Sequence, residues 1–514
     1  MIAIALLLAP VLVPMQNETV QDFKRYYKKF EETWERVEAI RALDGIDDPA
    51  VPEVLLRYKV LTDPEPPIAA AGLEVLKRLP SLSARMPLKL ILEEGKPAGE
   101  VALIARAAGE GKWQEFAPLL AAQLASNDDD VRLWAATSCG LLGVVASIPA
   151  IGALVVDDAN KLVRVAAIDA LGLVGKGHED AAGPSLVAAL RDDALEVQTA
   201  ACLALRKVRT KLAIAELIDL MENGEGRILE HIYPTLLEIT DMQFGDQPAL
   251  WRNWWQKAEA SYAIPSDAEL DKRREARAQT NAEYRPTKKS ATFMGIDTPS
   301  QRVVFVLDVS GSMEDHVVDE EAFRERGHTS FSKLEIVKEE LARTIEELGG
   351  DVDFNIYAFA GKVYQWRNGL ATGNSLNRRS ASNFVRKLKA IGGASSGALA
   401  SAGLTGSAGT DDGRTNTYAG LLAALGIELD RAGEAVTPSS SEGVRSPVDT
   451  IFFLSDGRPS IGQLVDPDDI LESITELNRF RRITIHTIAI GEFQKDFMLD
   501  LARRNGGVFV DLGR

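Results

Sequence analysis

Apolar positions between about residue 45 and residue 240 recur with the 3.6-residue period of an α-helix. Three stretches of this Ala- and Leu-rich segment align with one another. Each opens on an aspartate, at Asp128, Asp157 and Asp192. Each then carries an equivalent valine, 32 and 34 residues apart, at Val131, Val163 and Val197. Repeats of this length predict helical hairpins that bury their apolar faces against one another.

Small and aromatic residues add detail to the helical segment. The aspartates are expected to cap helices, and Gly140 and Gly172 are expected to end or kink them. A tryptophan cluster closes the segment at Trp251, Trp254 and Trp255. We interpret this cluster as a seal over the last apolar face of the repeats, with an exposed binding patch as the alternative.

The pattern changes after Ser300, where short apolar runs alternate with segments of helical period. Val303–Leu307 is typical of a buried parallel strand, and Lys333–Leu348 of an amphipathic helix capped by Ser332. Further strands are predicted near 352–359, 362–366, 450–454, 483–490 and 508–510, and further helices near 381–389, 416–430, 470–477 and 496–503. This alternation predicts a doubly wound, Rossmann-like α/β sheet.

These patterns predict a multidomain chain. Residues 1–15 are apolar apart from two prolines, which favours a signal peptide, with a buried amphipathic helix as the alternative. Residues 16–262 are expected to form an all-α repeat domain, 263–300 a charged linker and 301–514 the α/β domain. The mature protein is expected to be exported, to the periplasm, the cell surface or the medium, and to have no membrane span.

The composition limits the kinds of partner and metal that the chain is expected to bind. The chain has 514 residues with 58 Lys and Arg against 75 Asp and Glu, a net charge of −17, which argues against nucleic acid as a partner. Its two cysteines, Cys139 and Cys202, lie in different repeats and are expected to be buried thiols. The five histidines form no zinc motif, so any metal should be a hard cation held by oxygen.

Polar residues follow two of the predicted strands. Asp308, Ser310 and Ser312 alternate along the loop after the first strand, and Asp456 follows a second strand. In an open parallel sheet both loops lie at the carboxyl edge, where ligands bind. Thr415, just before a helix, can add another hydroxyl. Such oxygen donors suit Mg²⁺ or Mn²⁺.

The repeats resemble short HEAT-like repeats, forming a solenoid. The shared pattern is D-x-x-V-R-x-x-A-A, which two units match and the third alters by carrying Gln198 in place of the arginine. The C-terminal half resembles a von Willebrand factor A (vWA) domain with a metal-ion-dependent adhesion site (MIDAS). The matching motifs are D-x-S-G-S at 308–312, T-N-T at 415–417 and S-D-G at 455–457.

The resemblance to vWA domains implies a role for each of these residues. Ser310, Ser312 and Thr415 would bind the cation directly or through water, while Asp308 and Asp456 would fix its waters and supply charge. One coordination position would remain for a carboxylate of a partner protein. The chain departs from the family pattern by insertions at 314–330, 392–413 and 433–447, and Glu314 with Asp315 is a candidate second cation site.

The sequence favours a binding protein over an enzyme. No nucleotide-binding or nucleophile motif appears, and Ser330–Lys333, which fits S-x-x-K by spacing, lies where a helix cap is expected. We expect a non-enzymatic protein that binds Mg²⁺ or Mn²⁺ and, through it, an exposed Asp or Glu of a protein partner, with the solenoid as a second interaction surface. The alternatives are a metal-dependent hydrolase and a vWA assembly cofactor of an ATPase or chelatase.

Overall fold

The structure of the chain is a computed structural model that describes residues 17–277, 291–325, 327–392, 412–429, 448–491 and 495–512. The predicted signal peptide lies outside these residues, as do 393–411 and 430–447, which make up most of two of the predicted insertions. The chain divides into two compact units, the first ending at Leu120 and the second beginning at Ala121.

Among the residues just given, no helix is both long enough and apolar enough to cross a lipid bilayer.

The first unit is built from α-helices. They are α1 (Glu18–Tyr26), α2 (Thr33–Arg41), α3 (Ala50–Arg57), α4 (Pro66–Lys77), α5 (Leu82–Glu94) and α6 (Ala98–Glu110). The next helix, α7 (Ala117–Gln123), contains the division between the units. Local signals set the helix starts: proline occupies the first position of α4, and the Ser81 hydroxyl accepts a hydrogen bond from the Ala84 amide at the start of α5. The buried side chains of these helices are mostly apolar, among them Ile40, Leu55, Val75 and Leu88.

The second unit opens with further helices. They are α8 (Asp129–Leu141), α9 (Ile148–Asp157), α10 (Lys161–Val174), α11 (Glu179–Ala188), α12 (Leu195–Leu205), α13 (Ala213–Asn223), α14 (Leu229–Thr240), α15 (Pro248–Ala258) and α16 (Asp267–Arg277). Helices α8, α10 and α12 pack side by side in one layer, and α9, α11 and α13 form the second. The predicted helical hairpins are therefore confirmed.

Arginine and aspartate side chains join successive hairpins. Arg132 Nε lies 2.7 Å from an oxygen of Asp158, and Arg164 Nε lies 2.7 Å from an oxygen of Asp192. Asp128 caps α8 as expected, by accepting a hydrogen bond from the Val131 amide. Asp158, which follows Asp157, and Asp192 each accept a hydrogen bond from a main-chain amide two residues further on, that of Asn160 and Ala194. Both also accept from the arginine of the preceding repeat. The repeated Asp and Arg are thus partners between repeats.

Gly140 and Gly172 lie in the last turn of α8 and α10, one and two residues before the last residue of the helix. Their surroundings show a packing role that the sequence did not predict. A Cβ at Gly140 would lie 2.7 Å from Ala170 Cα, and one at Gly172 would lie 3.2 Å from Ala204 Cβ. The glycines therefore let consecutive helices approach more closely than any side chain would allow.

The tryptophan cluster at the end of the repeats is a seal, as predicted. Trp251 is fully buried and Trp255 nearly so. Trp251 and Trp254 meet edge to face with ring centroids 5.9 Å apart, and Trp251 Nε1 donates a hydrogen bond to the Gly245 carbonyl. Cys139 and Cys202 are buried free thiols, also as predicted.

The C-terminal half forms an α/β domain. Its strands are β1 (Ala291–Phe293), β2 (Ile296–Thr298), β3 (Arg302–Asp308), β4 (Asp353–Phe359), β5 (Val363–Gln365), β6 (Ala371–Thr372), β7 (Thr450–Ser455), β8 (Thr484–Ala489) and β9 (Phe509–Asp511). Its helices are α17 (Glu320–Glu325), α18 (Lys333–Glu347), α19 (Ser375–Lys387), α20 (Thr417–Ala424), α21 (Pro467–Asn478) and α22 (Lys495–Arg504).

The main sheet has the strand order β5-β4-β3-β7-β8-β9, and β6 also pairs with β4. Strands β4, β3, β7, β8 and β9 are mutually parallel, whereas β5 and β6 are antiparallel to β4. Side chains alternate between the two faces of the sheet: Phe305 faces a core that includes α18, and Val306 a core that includes α20, α21 and α22. The predicted doubly wound class is confirmed.

Two local features differ from the expectation. Ser332 precedes α18 but makes no capping bond, and its hydroxyl donates to the Met313 carbonyl, 3.3 Å away. Residues 291–298, which the sequence pattern assigns to the linker, form the β1–β2 hairpin, whose Phe293 and Ile296 lie in the core beneath the sheet. Strands of three residues carry too few alternating positions to be visible as a pattern.

Repeat helices of the second unit contact the amino-terminal edge of the sheet. The Arg227 guanidinium donates to the main-chain carbonyls of Asp449 and Arg482, which flank β7 and β8. Arg482 forms a bidentate ion pair with Asp169 of α10, with both Nη2–O distances at 2.5 Å. The opposite, carboxyl-terminal edge of the sheet carries the candidate metal-binding residues.

Replacing Gly140 by Ala should destabilise the repeats. The added methyl would overlap Ala170, so we expect the free energy of unfolding to fall by about 1–3 kcal/mol despite the better helix propensity of alanine. Urea unfolding followed by circular dichroism measures this change. Gly99→Ala is the matched control, since nothing lies within 4 Å of a Cβ there, and an equal loss in both variants would contradict the close-approach argument.

The carboxyl group of Glu230, which lies beside Arg227, predicts that the free energy of unfolding depends on pH. Burial, and to a lesser degree Asp449, raises the pKa of Glu230 from 4.5 to about 7, while Arg227 opposes the shift. The folded state therefore holds this proton more tightly than the unfolded chain, and the stabilisation is lost as the pH rises from about 4.5 to about 7. Glu230→Gln should remove this loss, so the variant should exceed the wild type in stability at pH 8 and match it near pH 4.5. The free energies of unfolding of variant and wild type are measured with urea. If their difference is the same at pH 4.5 and at pH 8, the prediction is wrong. Glu225→Gln, at an exposed position, is the control.

Candidate metal centre

Two neighbouring parallel strands place the acidic residues of the candidate site. Strand β3 ends at Asp308, and β7 ends at Ser455, directly before Asp456. The strands pair with Leu307 opposite Leu454, so both carboxylates lie at the same edge of the sheet. Both are buried, with Asp308 fully covered and Asp456 2% exposed.

Asp308 is held by hydrogen bonds to both of its oxygens. Oδ1 accepts from the Ser310 amide at 2.8 Å, and Oδ2 accepts from the Ser455 hydroxyl at 2.6 Å. Burial, and then the charge of Asp456, raises the pKa of Asp308 to about 6, although these hydrogen bonds oppose the rise. The carboxylate is thus fixed in place in a region of excess negative charge.

Asp456 is also held through both oxygens, by two different partners. Oδ1 accepts from the Ser312 hydroxyl at 2.8 Å, and Oδ2 lies 2.6 Å from the ammonium of Lys333. The Ser312 hydroxyl is in turn 3.3 Å from that of Ser310. The two carboxylates and the two serines therefore form one connected group.

Thr415 comes to this group from the loop before α20. Its backbone is tied to Ser460, with the Thr415 amide donating to the serine hydroxyl at 3.0 Å and the Ser460 amide donating to the threonine carbonyl at 2.9 Å. The Asn416 amide donates to the Ala360 carbonyl, beyond the end of β4. These backbone bonds fix the threonine side chain at the same edge as the carboxylates.

The donor atoms converge beside Gly457. A Cβ placed on Gly457 would lie 3.4 Å from Thr415 Oγ1, 3.5 Å from Ser312 Oγ and 3.9 Å from Asp308 Oδ2. Oxygens from three separate segments of chain thus surround the space that the absent side chain leaves open. All five residues that the sequence pattern singled out lie in this one group.

The chemistry of the donor set fits a hard divalent cation. In the part of the chain that the structure describes, no three His, Cys, Asp or Glu side chains form a metal-binding group. The oxygens available to a cation here are hydroxyls together with the two carboxylates. Mg²⁺ and Mn²⁺ prefer oxygen ligands and retain several waters, so a few protein oxygens suffice.

The sequence pattern did not identify two partners of this group. Ser455 lies within the S-D-G motif, but its bond to Asp308 is a contact between strands. Lys333 was expected only to follow a helix cap, yet it contacts Asp456 across 123 residues of sequence. A signal for it existed, because lysine is unfavourable at the first position of a helix, near the positive end of the helix dipole.

The suggested second cation site stays a prediction. Asp315 is exposed, and its carbonyl accepts a hydrogen bond from the Lys333 amide, while Glu314 is half-buried. The first insertion is described except for residue 326, and it contains α17.

Comparison with known families confirms the helical repeats. The family model HEAT_2, HEAT repeats, matches residues 116–206 and 148–232. These matches cover the hairpins from α8 to α13, including the Asp–Arg pairs between repeats. The predicted HEAT-like character of this region is therefore confirmed.

Among curated proteins, the chain is similar to heavy chains of the inter-alpha-trypsin inhibitor. It is 26% identical over 215 residues to heavy chain 4 of Mus musculus, covering 41% of this chain and 18% of that protein. It is 24% identical over 209 residues to heavy chain H1 of Mesocricetus auratus, covering 40% of this chain and 18% of that protein. The chain thus matches less than a fifth of the length of these relatives.

Solved structures with a similar fold include vWA domains. One is described as von Willebrand factor type A from Catenulispora acidiphila, at 16% identity and a TM-score of 0.28, covering 42% of this chain and 39% of that one. Another is a proximal thread matrix protein of the mussel byssus with a zinc-occupied MIDAS motif, at 13% identity and a TM-score of 0.25, covering 41% and 44%. Because TM-scores this low do not establish shared detail, the assignment of a vWA fold depends on the strand order and the motif positions.

Replacing Gly457 by Ala should abolish cation binding without unfolding the domain. The added methyl would occupy the space between the donors at ordinary contact distances. A cation at 100 times its dissociation constant stabilises a protein by about 2.7 kcal/mol. We expect Mg²⁺ or Mn²⁺ to raise the melting temperature of the wild type above that in EDTA, and to leave that of the variant unchanged.

The control for this measurement is Gly350→Ala, in the same domain, where nothing lies within 4 Å of the new methyl. It should retain the full response to metal. A Gly457→Ala variant that responds like the wild type would show that the cation does not bind in this space.

Proposed function

We propose that the chain is a non-enzymatic protein-binding protein. Its vWA domain binds Mg²⁺ or Mn²⁺ through Ser310, Ser312 and Thr415, with Asp308 and Asp456 supplying charge. The cation binds an exposed Asp or Glu side chain of a protein partner. The HEAT repeats provide a second surface for interaction.

The convergence of oxygens beside Gly457 carries this proposal. The ligands proposed to contact the cation are neutral hydroxyls, and both carboxylates already accept hydrogen bonds through each oxygen. A divalent cation bound mainly by neutral oxygens retains a strong attraction for anions. A carboxylate from another protein is the anionic ligand that a protein partner offers most readily.

The surroundings of the histidines in the α/β domain support binding over hydrolysis. His316 pairs with Glu320 at 2.9 Å, and His328 pairs with Glu339 at 2.9 Å. The buried His486 accepts a hydrogen bond from the Val508 amide, within the sheet. Each imidazole thus has a hydrogen-bond partner other than Asp308 or Asp456, and a hydrolytic mechanism would need a general base beside those carboxylates.

Exposed apolar side chains on the repeats are consistent with a second interaction surface. Val156 of α9 is 56% exposed, and Leu173 of α10 is 49% exposed.

Export of the chain, with cleavage after the N-terminal apolar run, is part of the same proposal, since adhesion through a divalent cation suits a compartment in which such ions are abundant.

The test uses the full chain and an array of short peptides. Peptides with one central Asp or Glu are compared with matched peptides carrying Asn or Gln, in Mg²⁺ and in EDTA. We expect binding of carboxylate peptides only, in Mg²⁺ only, and a loss of at least about tenfold in Thr415→Val, which removes one hydroxyl and keeps the shape.

Thr450→Val is the matched control. Thr450 is fully buried in the same domain, and its hydroxyl has no hydrogen-bond partner among the described residues, so the change should not weaken peptide binding. Equal binding of acid and amide peptides, or binding that survives EDTA, would refute a metal-mediated contact with carboxylates.

A further inference from the structure

Lys333 is the one cation that directly contacts the candidate centre among the described contacts of Asp308 and Asp456. Its Nζ lies 2.6 Å from Asp456 Oδ2, and the two side chains are 11% and 1% exposed. A buried ion pair of this kind costs desolvation energy, and replacing it by apolar residues is often neutral or stabilising. Its presence at this position therefore calls for a reason other than stability.

The backbone around Lys333 holds the ammonium in place. Lys333 is the first residue of α18, and its amide donates to the Asp315 carbonyl at 3.0 Å. The ammonium lies beside Gly491, after β8, where a Cβ would be in ordinary contact with Nζ at 3.7 Å. Gly491 has a φ of +155°, a backbone conformation that favours glycine.

A charge count shows what this ammonium does for the centre. Asp308 and Asp456 contribute two negative charges, and the hydroxyls of Ser310, Ser312 and Thr415 contribute none. Without Lys333, a divalent cation would make the group neutral. With Lys333, the metal-loaded group carries one net positive charge, which attracts a carboxylate more strongly.

We propose that Lys333 is a built-in counter-ion of the metal centre, which weakens cation binding and strengthens the binding of an acidic ligand. This inference rests on the proposed function of the site. Lys333 is a positioning and charge-setting residue: it holds one oxygen of Asp456, while Ser312 holds the other. It does not itself contact the cation.

The experiment measures two affinities in the full chain. Mn²⁺ binding is followed by electron paramagnetic resonance, and acetate binding to the Mn²⁺-loaded protein is followed by water proton relaxation. In Lys333→Met and Lys333→Gln, which remove the charge, we expect Mn²⁺ to bind about tenfold more tightly and acetate about tenfold more weakly. Lys333→Gln retains a hydrogen-bond donor, so it supplies the result if the Met variant does not fold.

Two further variants serve as controls. Lys333→Arg keeps the charge and should shift both affinities much less. Lys338→Met removes a buried lysine of the same helix that contacts Glu335 and the Leu388 carbonyl instead, and should change neither affinity.

A counter-ion role for Lys333 and a purely structural role predict different changes in the two affinities. A lysine that only supports the structure would, when replaced, weaken Mn²⁺ and acetate binding together, and that result would overturn the counter-ion role. Neutral variants with unchanged Mn²⁺ affinity would overturn it as well. If the wild type binds no Mn²⁺, the proposed function of the site itself fails, and the counter-ion role fails with it.

Discussion

The arrangement of the α/β domain depends on two carboxylates buried side by side at the ends of adjacent parallel strands. Asp308 and Asp456 are almost fully covered, and like charges in a low-dielectric region repel strongly. The protein meets this repulsion with hydroxyl and amide donors on three carboxylate oxygens and with the Lys333 ammonium on the fourth. These partners leave one negative charge uncompensated, and the oxygen donors around it are of the kind that hard cations prefer.

The two edges of the sheet have different surroundings. The carboxyl-terminal edge gathers polar side chains from separate loops around the space beside Gly457. The amino-terminal edge presents carbonyls to Arg227, and Arg482 there pairs with Asp169 of the repeats. Because the repeat helices of the second unit bind the edge away from the candidate site, this contact leaves the donor group uncovered by them.

Successive repeats are joined by two kinds of contact. Small residues let neighbouring helices approach, and in two successive hairpins an arginine pairs with an aspartate in the following loop. In the third unit Gln198 takes the place of the arginine, and the aspartate that would pair with an arginine there is also missing. The equivalent loop of the following hairpin, residues 224–228, contains no aspartate, and Gln198 bonds instead to the Leu190 carbonyl. A departure from the repeat pattern thus marks the place where its partner is missing.

Short-range patterns in the sequence were enough to predict the fold class, which the structure confirms, and to single out the five candidate site residues, which the structure brings together. Helical and strand periods are local, and the Asp308, Thr415 and Asp456 motifs each lie next to one element. The contacts of Lys333 and Ser455 with the two carboxylates became visible only in the tertiary structure. The Lys333–Asp456 pair spans 123 residues, and the role of Gly140 depends on a neighbouring helix rather than on its own. Such contacts are set by how elements pack, and no periodicity along the chain records which side chains packing will bring together.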